Sequence, residues 1–245
     1  MILLRSLVYF FFLTLLTVAC ALPMILLRKP LGRDRVSKIG NAWGMGNLWL
    51  LKVICGLGYR VRGWENLPAG NCIIMAKHQS TWETMSLRGL LPFNQCWVLK
   101  QELLRVPLFG GALRASEPIA IDRSAGRAAV KMVIDQGVAA LREGRWVVLF
   151  PEGTRVAPGQ RGRYGGGGAL LAERSGYPVL PIAHNAGTYW RRRDLKKYPG
   201  TVEVVIGPLI ETRDKKASTI LREVEEWIEA RVAELERDHP PTHPG

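Results

Sequence analysis

The chain has few cysteines, and none has a spacing typical of metal sites or redox motifs. The four thiols among 245 residues form no CxxC or CxxxC pair, and they lie at Cys20, Cys55, Cys72 and Cys96. This usage indicates structural thiols in a reducing compartment. We assign them no chemistry.

Two nucleotide-binding motifs are also absent. The glycine-rich segment 158–168 contains no GxxxxGK[ST], and its glycines do not follow a strand with an acidic residue about 20 positions on. The sequence therefore supports neither a P-loop nor a Rossmann site. The segment is basic, with Arg161 and Arg163, and it is either a flexible lid or a plain connection.

Acidic residues are scarce relative to basic ones. The chain has 21 Asp and Glu against 34 Lys and Arg, which gives a formal net charge of +13 and a pI near 10. Such a balance predicts a polyanionic partner, either nucleic acid or anionic lipid headgroups. With 47% hydrophobic and 22% charged residues, the composition is globular, and the length suits one α/β domain with an appendage.

Charge is missing altogether from residues 6–27, which are mostly Leu, Phe, Val, Ile and Ala. A helix over this run is about 33 Å long, against about 30 Å for the hydrocarbon core of a bilayer. The basic residues that follow are Arg28, Lys29, Arg33, Arg35 and Lys38. By the positive-inside rule they place the rest of the chain in the cytoplasm, so anionic lipid is favoured over nucleic acid.

Two other interpretations of the N-terminus remain open. A cleavable signal peptide would use Arg5 and the small residues 19–21, although the apolar run continues beyond that site. A helix in the membrane interface would join a second apolar, tryptophan-bearing stretch over residues 42–58. We predict a membrane-anchoring helical region at 1–57, a catalytic domain at 58–237 and a disordered tail at 238–245.

Apolar runs alternate with helical patterns after the anchor. Strands are predicted over 72–76, 96–99, 118–121, 145–150, 178–183 and 201–206, with residues 60–68 as a polar entry to the domain. Helices are predicted from Glu83 to residue 90, from 101 to a break before Gly110, from a cap at Ser124 to Gly144, over 169–174 and over 220–235. This rhythm predicts an α/β fold with a mostly parallel central sheet flanked by helices.

A histidine and a carboxylate lie close together where the first of these strands ends. His78 and Glu83 flank a strand-to-helix turn, and Ser80 with Glu83 has the spacing of a helix capping box. Residues five apart on a regular helix point about 140° away from each other, so the two side chains meet only if the chain bends. An imidazole held by a carboxylate suits general-base catalysis on a hydroxyl. Alternatively, Glu83 caps the helix and His78 is a hydrogen-bonded core histidine.

Further polar residues follow the ends of the later strands. They are Lys100, Asp122, Arg123, Glu152, Gly153, Thr154, Arg155, His184 and Asn185. Each has an ordinary explanation, because acid–arginine pairs are common on surfaces, Pro-Glu-Gly favours a turn, and His184 suits a core position. Open α/β sheets bind ligands at the carboxyl ends of their strands, so the set together indicates one site.

Four sequence blocks occur in the order KHQSTWE, IDR, FPEGTR and VLPIAHN. Over about residues 60–210 this arrangement resembles the glycerolipid acyltransferases, most closely the bacterial 1-acyl-sn-glycerol-3-phosphate acyltransferases. The resemblance implies transfer of a fatty acyl group from acyl-CoA or acyl carrier protein to the sn-2 hydroxyl of lysophosphatidate, which gives phosphatidate.

The resemblance also implies roles for individual residues. His78 is the implied base, and the implied acceptor-binding positions are Lys100, Arg123, Glu152, Gly153, Thr154 and Arg155. Such catalysis needs no nucleophilic side chain, metal or cofactor, so we expect no covalent acyl-enzyme. A guanidinium fork suits Arg155, with Arg123 in support, to the phosphomonoester of the acceptor. The implied location is the cytoplasmic side of the inner membrane, on anionic lipid and without nucleic acid.

The sequence departs from the common family pattern at two positions. Glu83 stands where an aspartate is usual, which lengthens the reach of the acid by one methylene, and Lys77 stands where asparagine is frequent. We expect the Lys77 cation either to lower the pKa of His78 or to meet an anionic substrate. Two other functions stay open: acylation of another lysolipid, such as a lyso-aminolipid, and binding of anionic lipid or nucleic acid without turnover.

Overall fold

The computed structural model describes residues 1–92 and 94–239 of the chain. The helices are α1 (Ile2–Leu26), α2 (Arg28–Leu50), α3 (Trp82–Leu90), α4 (Phe109–Ala115), α5 (Arg127–Arg142), α6 (Gly167–Ser175), α7 (Ala186–Tyr189) and α8 (Ala217–Asp238). The strands are β1 (Leu57–Arg62), β2 (Ile73–Ala76), β3 (Gln95–Lys100), β4 (Ile119–Ile121), β5 (Trp146–Leu149), β6 (Val179–His184) and β7 (Gly200–Ile206). We predict a disordered tail at 238–245, and the part of it after His239 lies outside the described residues.

The strands form one sheet in the order β1-β7-β6-β2-β5-β3-β4. Every neighbouring pair is parallel except β6 and β7, which are antiparallel. The prediction of a mostly parallel sheet flanked by helices is confirmed. Strands β2 and β5 lie next to each other at the centre, so the loops that follow them meet at one edge of the sheet.

Each face of the sheet packs on its own hydrophobic cluster. Ile74 of β2 packs with residues of α1, α2 and α3 on one face, whereas Ile73 and Met75 pack with residues of α5, α6 and α8 on the other. Alternate strand residues point to opposite faces, and both faces are covered. This explains why the central strands appear in the sequence as unbroken apolar runs.

Strand β1 is absent from the prediction, which treated residues 60–68 as a polar entry. Leu57–Arg62 forms an edge strand that pairs in parallel with β7, from Leu57 with Gly200 to Arg62 with Val205. Its sequence GYRVR has short alternation and two arginines, which is a weak strand signal in isolation. Pairing with β7, more than 140 residues later, decides its conformation.

The predicted helix break before Gly110 is wrong. Residues Gln101–Arg105 form a 3-10 turn, and α4 then runs through both Gly110 and Gly111. A Cβ on Gly110 would lie 2.2 Å from the carbonyl oxygen of Leu104, and one on Gly111 would lie 2.7 Å from Cδ1 of Ile25. These glycines allow close packing of α4 on its neighbours and do not end a helix.

The predicted cap at Ser124 is also displaced. Asp122 accepts the N–H of Ser124 and begins a 3-10 turn over Arg123–Ala125, and α5 starts three residues later at Arg127. The predictions for α6 and α8 are confirmed: Gly176 ends α6 with φ of +70°, and α8 buries one apolar stripe. That stripe consists of Ile220, Val224, Ile228, Val232 and Leu235.

Helix α1 is the one helix among the described residues that is long and apolar enough to cross a membrane. Its outer face exposes large apolar side chains that include Leu4, Phe11 and Leu15. Its inner face packs on α2 and α4, and both of its ends contact the rest of the protein. The Ser6 hydroxyl accepts the N–H of Lys197 at 2.9 Å, and the Ile25 side chain packs against α4.

Candidate active site

The turn between β2 and α3 brings His78 and Glu83 into contact. Nδ1 of His78 lies 2.8 Å from Oε1 of Glu83, and the same oxygen accepts the N–H groups of Gln79 at 2.8 Å and Ser80 at 2.7 Å. These bonds bend the chain in the way that residues five apart require. One carboxylate oxygen therefore closes the turn and also holds the imidazole, so the capping and catalytic interpretations of Glu83 are compatible.

The predicted capping box is only half formed. The carboxylate of Glu83 returns to the Ser80 N–H, as in a capping box, but the Ser80 hydroxyl accepts the N–H of Trp82 at 3.1 Å and not that of Glu83. The helix begins at Trp82. The Glu83 side chain lies over the turn, where it bonds to His78, and the Ser80 hydroxyl caps the first helical residue, Trp82.

The surroundings of Glu83 keep it ionised although it is fully buried. Burial raises its pKa, but His184, His78 and the Ser80 N–H together outweigh that effect and leave the pKa of Glu83 below its usual value. An ionised Glu83 accepts a hydrogen bond from Nδ1–H, which leaves the lone pair on Nε2 of His78. Among the residues that the structure describes, Nε2 has no hydrogen-bond partner.

The His78 ring is held on its other side by the segment after β5. The ring stacks on Phe150 with centroids 4.1 Å apart and planes 9° apart. The main chain is held as well, because Oε2 of Glu152 accepts the N–H of His78 at 2.9 Å and Val156 donates its N–H to the His78 carbonyl at 2.8 Å. The FPEGTR segment thus positions the histidine from several directions.

Glu152 lies inside the protein and not on an acceptor surface. Its Oε1 is 2.9 Å from Nζ of Lys77, and both side chains are fully buried. Burial raises the pKa of Glu152 to about 7 against the opposing effect of Lys77. The contacts of Glu152 are those of a residue that holds the chain at His78.

Lys77 likewise is fully buried, so the alternative in which this cation meets an anionic substrate is wrong. Its Nζ lies 2.9 Å from Glu152 and 2.7 Å from Oε1 of Glu229 on α8. The β2 strand carries this side chain into the interior, where an ammonium needs carboxylate partners. Lys77 belongs to the buried framework below the histidine.

The cations implied by the resemblance lie at the carboxyl ends of adjacent strands. Lys100 is exposed at the end of β3, where it pairs in register with Ile121, and Arg123 is exposed just after β4. A Cβ on Gly153, whose φ is +65°, would lie 3.9 Å from the Arg123 guanidinium. Arg123 therefore reaches the loop after β5.

Arg155 occupies the same loop, half-buried beside an exposed Thr154. Burial lowers the pKa of Arg155, Glu83 opposes that effect, and Arg192 adds to it. A guanidinium stays cationic under such shifts. Arg192 donates from Nη1 to the Arg155 carbonyl at 3.3 Å, so this side of the site holds two arginines. Among the described residues, no carboxylate lies within ion-pair distance of Arg155.

Comparison with known proteins agrees with this geometry. The profile of the family described as Acyltransferase matches residues 58–185, just over half of the chain. A 1-acyl-sn-glycerol-3-phosphate acyltransferase from Pseudomonas aeruginosa is 46% identical over 207 residues, which are 83% of this chain and 80% of that protein. The chain belongs to the acyltransferase family.

More distant members have the same fold. The crystal structure of the 1-acyl-sn-glycerophosphate acyltransferase PlsC from Thermotoga maritima superposes on this chain with a TM-score of 0.78, and the match covers 96% of each chain. The two sequences are 25% identical. A human 1-acyl-sn-glycerol-3-phosphate acyltransferase beta is 28% identical over 171 residues, or 69% of this chain and 62% of that protein. The similarity extends beyond the motifs to nearly the whole acyltransferase chain.

His184 is a buried and fully bonded core histidine. Its Nε2 donates to the Lys77 carbonyl at 2.8 Å, and its Nδ1 accepts the Ala186 N–H at 3.2 Å. Burial lowers the pKa of His184 and favours the neutral ring. The side chain of Asn185 accepts the N–H of Glu203 at 2.9 Å. These two residues of the acyltransferase support the turn and do not face the open side of His78.

Sequence reasoning missed the contribution of α8 to this acyltransferase site. The glycine-rich segment is bound to α8 and is a fixed connection: Gly159 donates to Glu236, Arg161 pairs with Glu225, and the Tyr164 hydroxyl donates to Glu229. A lysine that directly follows a buried strand was the available signal, because it requires a distant carboxylate. Among the described residues, no group of three or more His, Cys, Asp or Glu side chains is arranged to hold a metal.

Proposed function

We propose that the chain transfers a fatty acyl group from an acyl thioester to the sn-2 hydroxyl of 1-acyl-glycerol-3-phosphate, which gives phosphatidate. The observation that carries the proposal is the His78–Glu83 contact, which leaves Nε2 of His78 without a hydrogen-bond partner among the described residues, next to the loop that carries Arg155. The names of the relatives that match most of the chain support the same reaction.

His78 acts as the general base in this proposal. Its Nε2 takes the proton from the acceptor hydroxyl as the oxygen attacks the thioester carbonyl, and Glu83 stabilises the imidazolium that forms. The C–S bond then breaks, and the imidazolium returns the proton to the leaving sulfur. Every atom of the acyl group passes directly to the acceptor, so the mechanism needs no covalent acyl-enzyme.

Arg155 binds the phosphate of the acceptor, with Arg123 and Lys100 in support. A planar guanidinium offers two parallel N–H donors to a phosphate, and the phosphomonoester is a dianion. Thr154 and Gly153 belong to the same loop, where a hydroxyl and a small residue allow the acceptor to approach. Glu152 acts from beneath this loop by fixing its position relative to His78.

The donor is an acyl thioester of coenzyme A or of acyl carrier protein. The protein works on anionic lipid at the cytoplasmic face of the inner membrane, because the basic residues that follow α1 are attracted to the anionic headgroups of the cytoplasmic leaflet. Helix α1 lies within the membrane interface and does not cross the bilayer. A crossing helix separates its two ends by the full membrane, whereas both ends of α1 contact the catalytic domain.

Turnover by the purified protein tests the function. The protein is reconstituted in vesicles that contain phosphatidylglycerol and receives labelled acyl-CoA or acyl carrier protein thioester. The acceptors are 1-acyl-glycerol-3-phosphate, 1-acyl-glycerol without phosphate, and a lyso-aminolipid. We expect labelled phosphatidate from the first acceptor alone. Equal acylation of the phosphate-free acceptor would contradict the acceptor assignment, and binding of lipid without any acyl product would indicate a non-catalytic protein.

A further inference from the structure

Three carboxylates of α8 contact the loops around His78. Glu229 bonds to Lys77 at 2.7 Å, Glu236 accepts from the Gln79 side chain at 2.7 Å, and Glu225 pairs with Arg161 at 2.9 Å. The first two contacts join α8 to the residues on either side of His78, about 150 positions earlier in the chain. Helix α8 lies outside the segment 58–185 that matches the family profile. The catalytic turn of this chain is thus bonded to an element beyond the segment that the profile matches.

A continuous set of polar contacts runs from α8 to the main chain of the histidine. Nζ of Lys77 donates to Oε1 of Glu229 and forms an ion pair with Oε1 of Glu152 at 2.9 Å, and Oε2 of Glu152 accepts the N–H of His78. The Lys77 and Glu152 side chains are fully buried and Glu229 is 15% exposed. The Tyr164 hydroxyl also donates to Oε1 of Glu229 at 2.9 Å.

We propose that Glu229 is a positioning residue for catalysis, which acts through Lys77 and Glu152 to fix the main chain at His78. This inference rests on the proposed function, because it assigns His78 as the base. It makes α8 part of the catalytic apparatus. It also explains how this chain accommodates Lys77 where related enzymes frequently carry asparagine: the buried cation is bound by Glu229 from α8.

The charges explain why the position of Lys77 depends on both acids. A buried ammonium is stable only next to carboxylates, and here it lies between two that come from different elements. Without Glu229, Nζ is left with Glu152 alone, and the Glu152 side chain turns toward it. That movement weakens the bond from Oε2 to the His78 N–H. A displacement of about 1 Å at a reacting group can reduce turnover by about 100-fold.

The test compares Glu229→Gln with Glu223→Gln on the same helix. Glutamine at 229 keeps an oxygen that accepts from Lys77 and Tyr164, so the fold is preserved while the charge is lost. Glu223 pairs with Lys215 at the surface and contacts none of the groups at the site. We expect Glu229→Gln to lower kcat by about 10- to 100-fold with both KM values within about twofold, and Glu223→Gln to match the wild type. An unchanged kcat in Glu229→Gln, with or without a lower melting temperature, would refute the proposal.

A double-mutant cycle tests whether Glu229 acts through Lys77. We expect Lys77→Met and Glu229→Leu each to lower kcat, and the double variant to be at least about tenfold more active than the product of the two single effects, because removing both partners leaves neither the Lys77 ammonium nor the Glu229 carboxylate without the other. Effects that simply multiply would refute the route through Lys77. Thermal unfolding of each variant identifies any that fail to fold.

An NMR experiment tests the positioning role of Glu229 independently of whether the chain is an acyltransferase. The chain has four histidines, and 15N-histidine spectra, assigned with a His78→Ala variant, report the Nδ1–H of His78 bonded to Glu83. We expect this signal to shift or broaden in Glu229→Gln and to remain unchanged in Glu223→Gln. A wild type that shows the signal but transfers no acyl group would contradict the proposed function, while the response of the signal to Glu229→Gln would still decide the positioning role. An unchanged signal in Glu229→Gln would overturn it.

Discussion

Nδ1 of His78 and Oε1 of Glu83 lie 2.8 Å apart, and the same Glu83 oxygen accepts two main-chain N–H groups of the turn between them. One atom therefore shapes the loop and orients the imidazole. Any substitution of Glu83 affects both roles, and its consequences depend on which of the two contacts the new side chain retains.

Glu83→Gln separates the charge of Glu83 from its shape. The amide oxygen can still accept the N–H groups of Gln79 and Ser80, so we expect a melting temperature within a few degrees of the wild type. The variant lacks the negative charge that stabilises the imidazolium, and kcat falls by about two or more orders of magnitude. Thermal unfolding and acyl-transfer rates measure the two effects.

Glu83→Asp is the matched control for this prediction. It retains the charge on a shorter side chain, and aspartate is the usual acid in the related enzymes, so we expect partial activity. A fully active Glu83→Gln would mean that Glu83 only shapes the turn, and that Glu152 or Asp122 must be tested as the partner of His78.

His78→Ala removes the base together with its stacking contact on Phe150. The His78 side chain is 12% exposed and stacks on one face against Phe150. We expect the variant to fold, to remain bound to membranes and to lose acyl transfer by about 100-fold or more. Turnover close to the wild-type rate, in protein shown to be folded, would eliminate the proposed mechanism.

Arg155→Lys retains a positive charge but loses the planar pair of donors. We expect the KM for the lysophosphatidate acceptor to rise by about tenfold, while the KM for the acyl donor changes by less than about twofold. Steady-state kinetics with each substrate varied in turn distinguish the two. A rise in the donor KM with a constant acceptor KM would reassign Arg155 to the donor.

The free energy of unfolding should fall with rising pH because of Glu152. Burial raises the pKa of Glu152 to about 7, so the folded state holds a proton that the unfolded state has released above its ordinary pKa. The stabilisation is present at low pH and is lost between about pH 4.5 and 7. From pH 5 to pH 8 this contribution is about 2 to 3 kcal/mol.

Denaturant unfolding of the wild type and Glu152→Gln over that pH range checks the prediction. The variant lacks this titrating group, so its stability should decline less steeply with pH than that of the wild type. Parallel curves would show that Lys77 keeps Glu152 ionised throughout.

An interfacial α1 leaves the N-terminus on the same side of the membrane as the catalytic domain. We expect an epitope tag before Met1 and the domain itself to be protected from protease added to spheroplasts, and both to be cut after lysis. A helix that crosses the bilayer would expose the tag outside while it protects the domain. Absence of the tag from the mature protein would indicate cleavage of a signal peptide.

The sequence alone was sufficient to predict the central strands, the amphipathic helix α8 and the site motifs. Each of these is encoded locally: β2 and β6 are continuous apolar runs, α8 repeats its apolar residues at helical spacing, and the motif blocks follow strand ends. The mostly parallel sheet follows from the alternation of these elements. Local encoding also explains why the His78–Glu83 pair was recognisable before its geometry was known.

Features that depend on partners distant in the chain were decided only by the tertiary structure. Strand β1 has a weak local signal and forms because β7 supplies its hydrogen bonds. The role of Lys77 depends on Glu229, 152 residues later, and a glutamate on an amphipathic helix looks like a solvent-facing residue in the sequence. Only the packing of α8 against the sheet brings the two together, and a buried charge is bound by whichever opposite charge the fold places beside it.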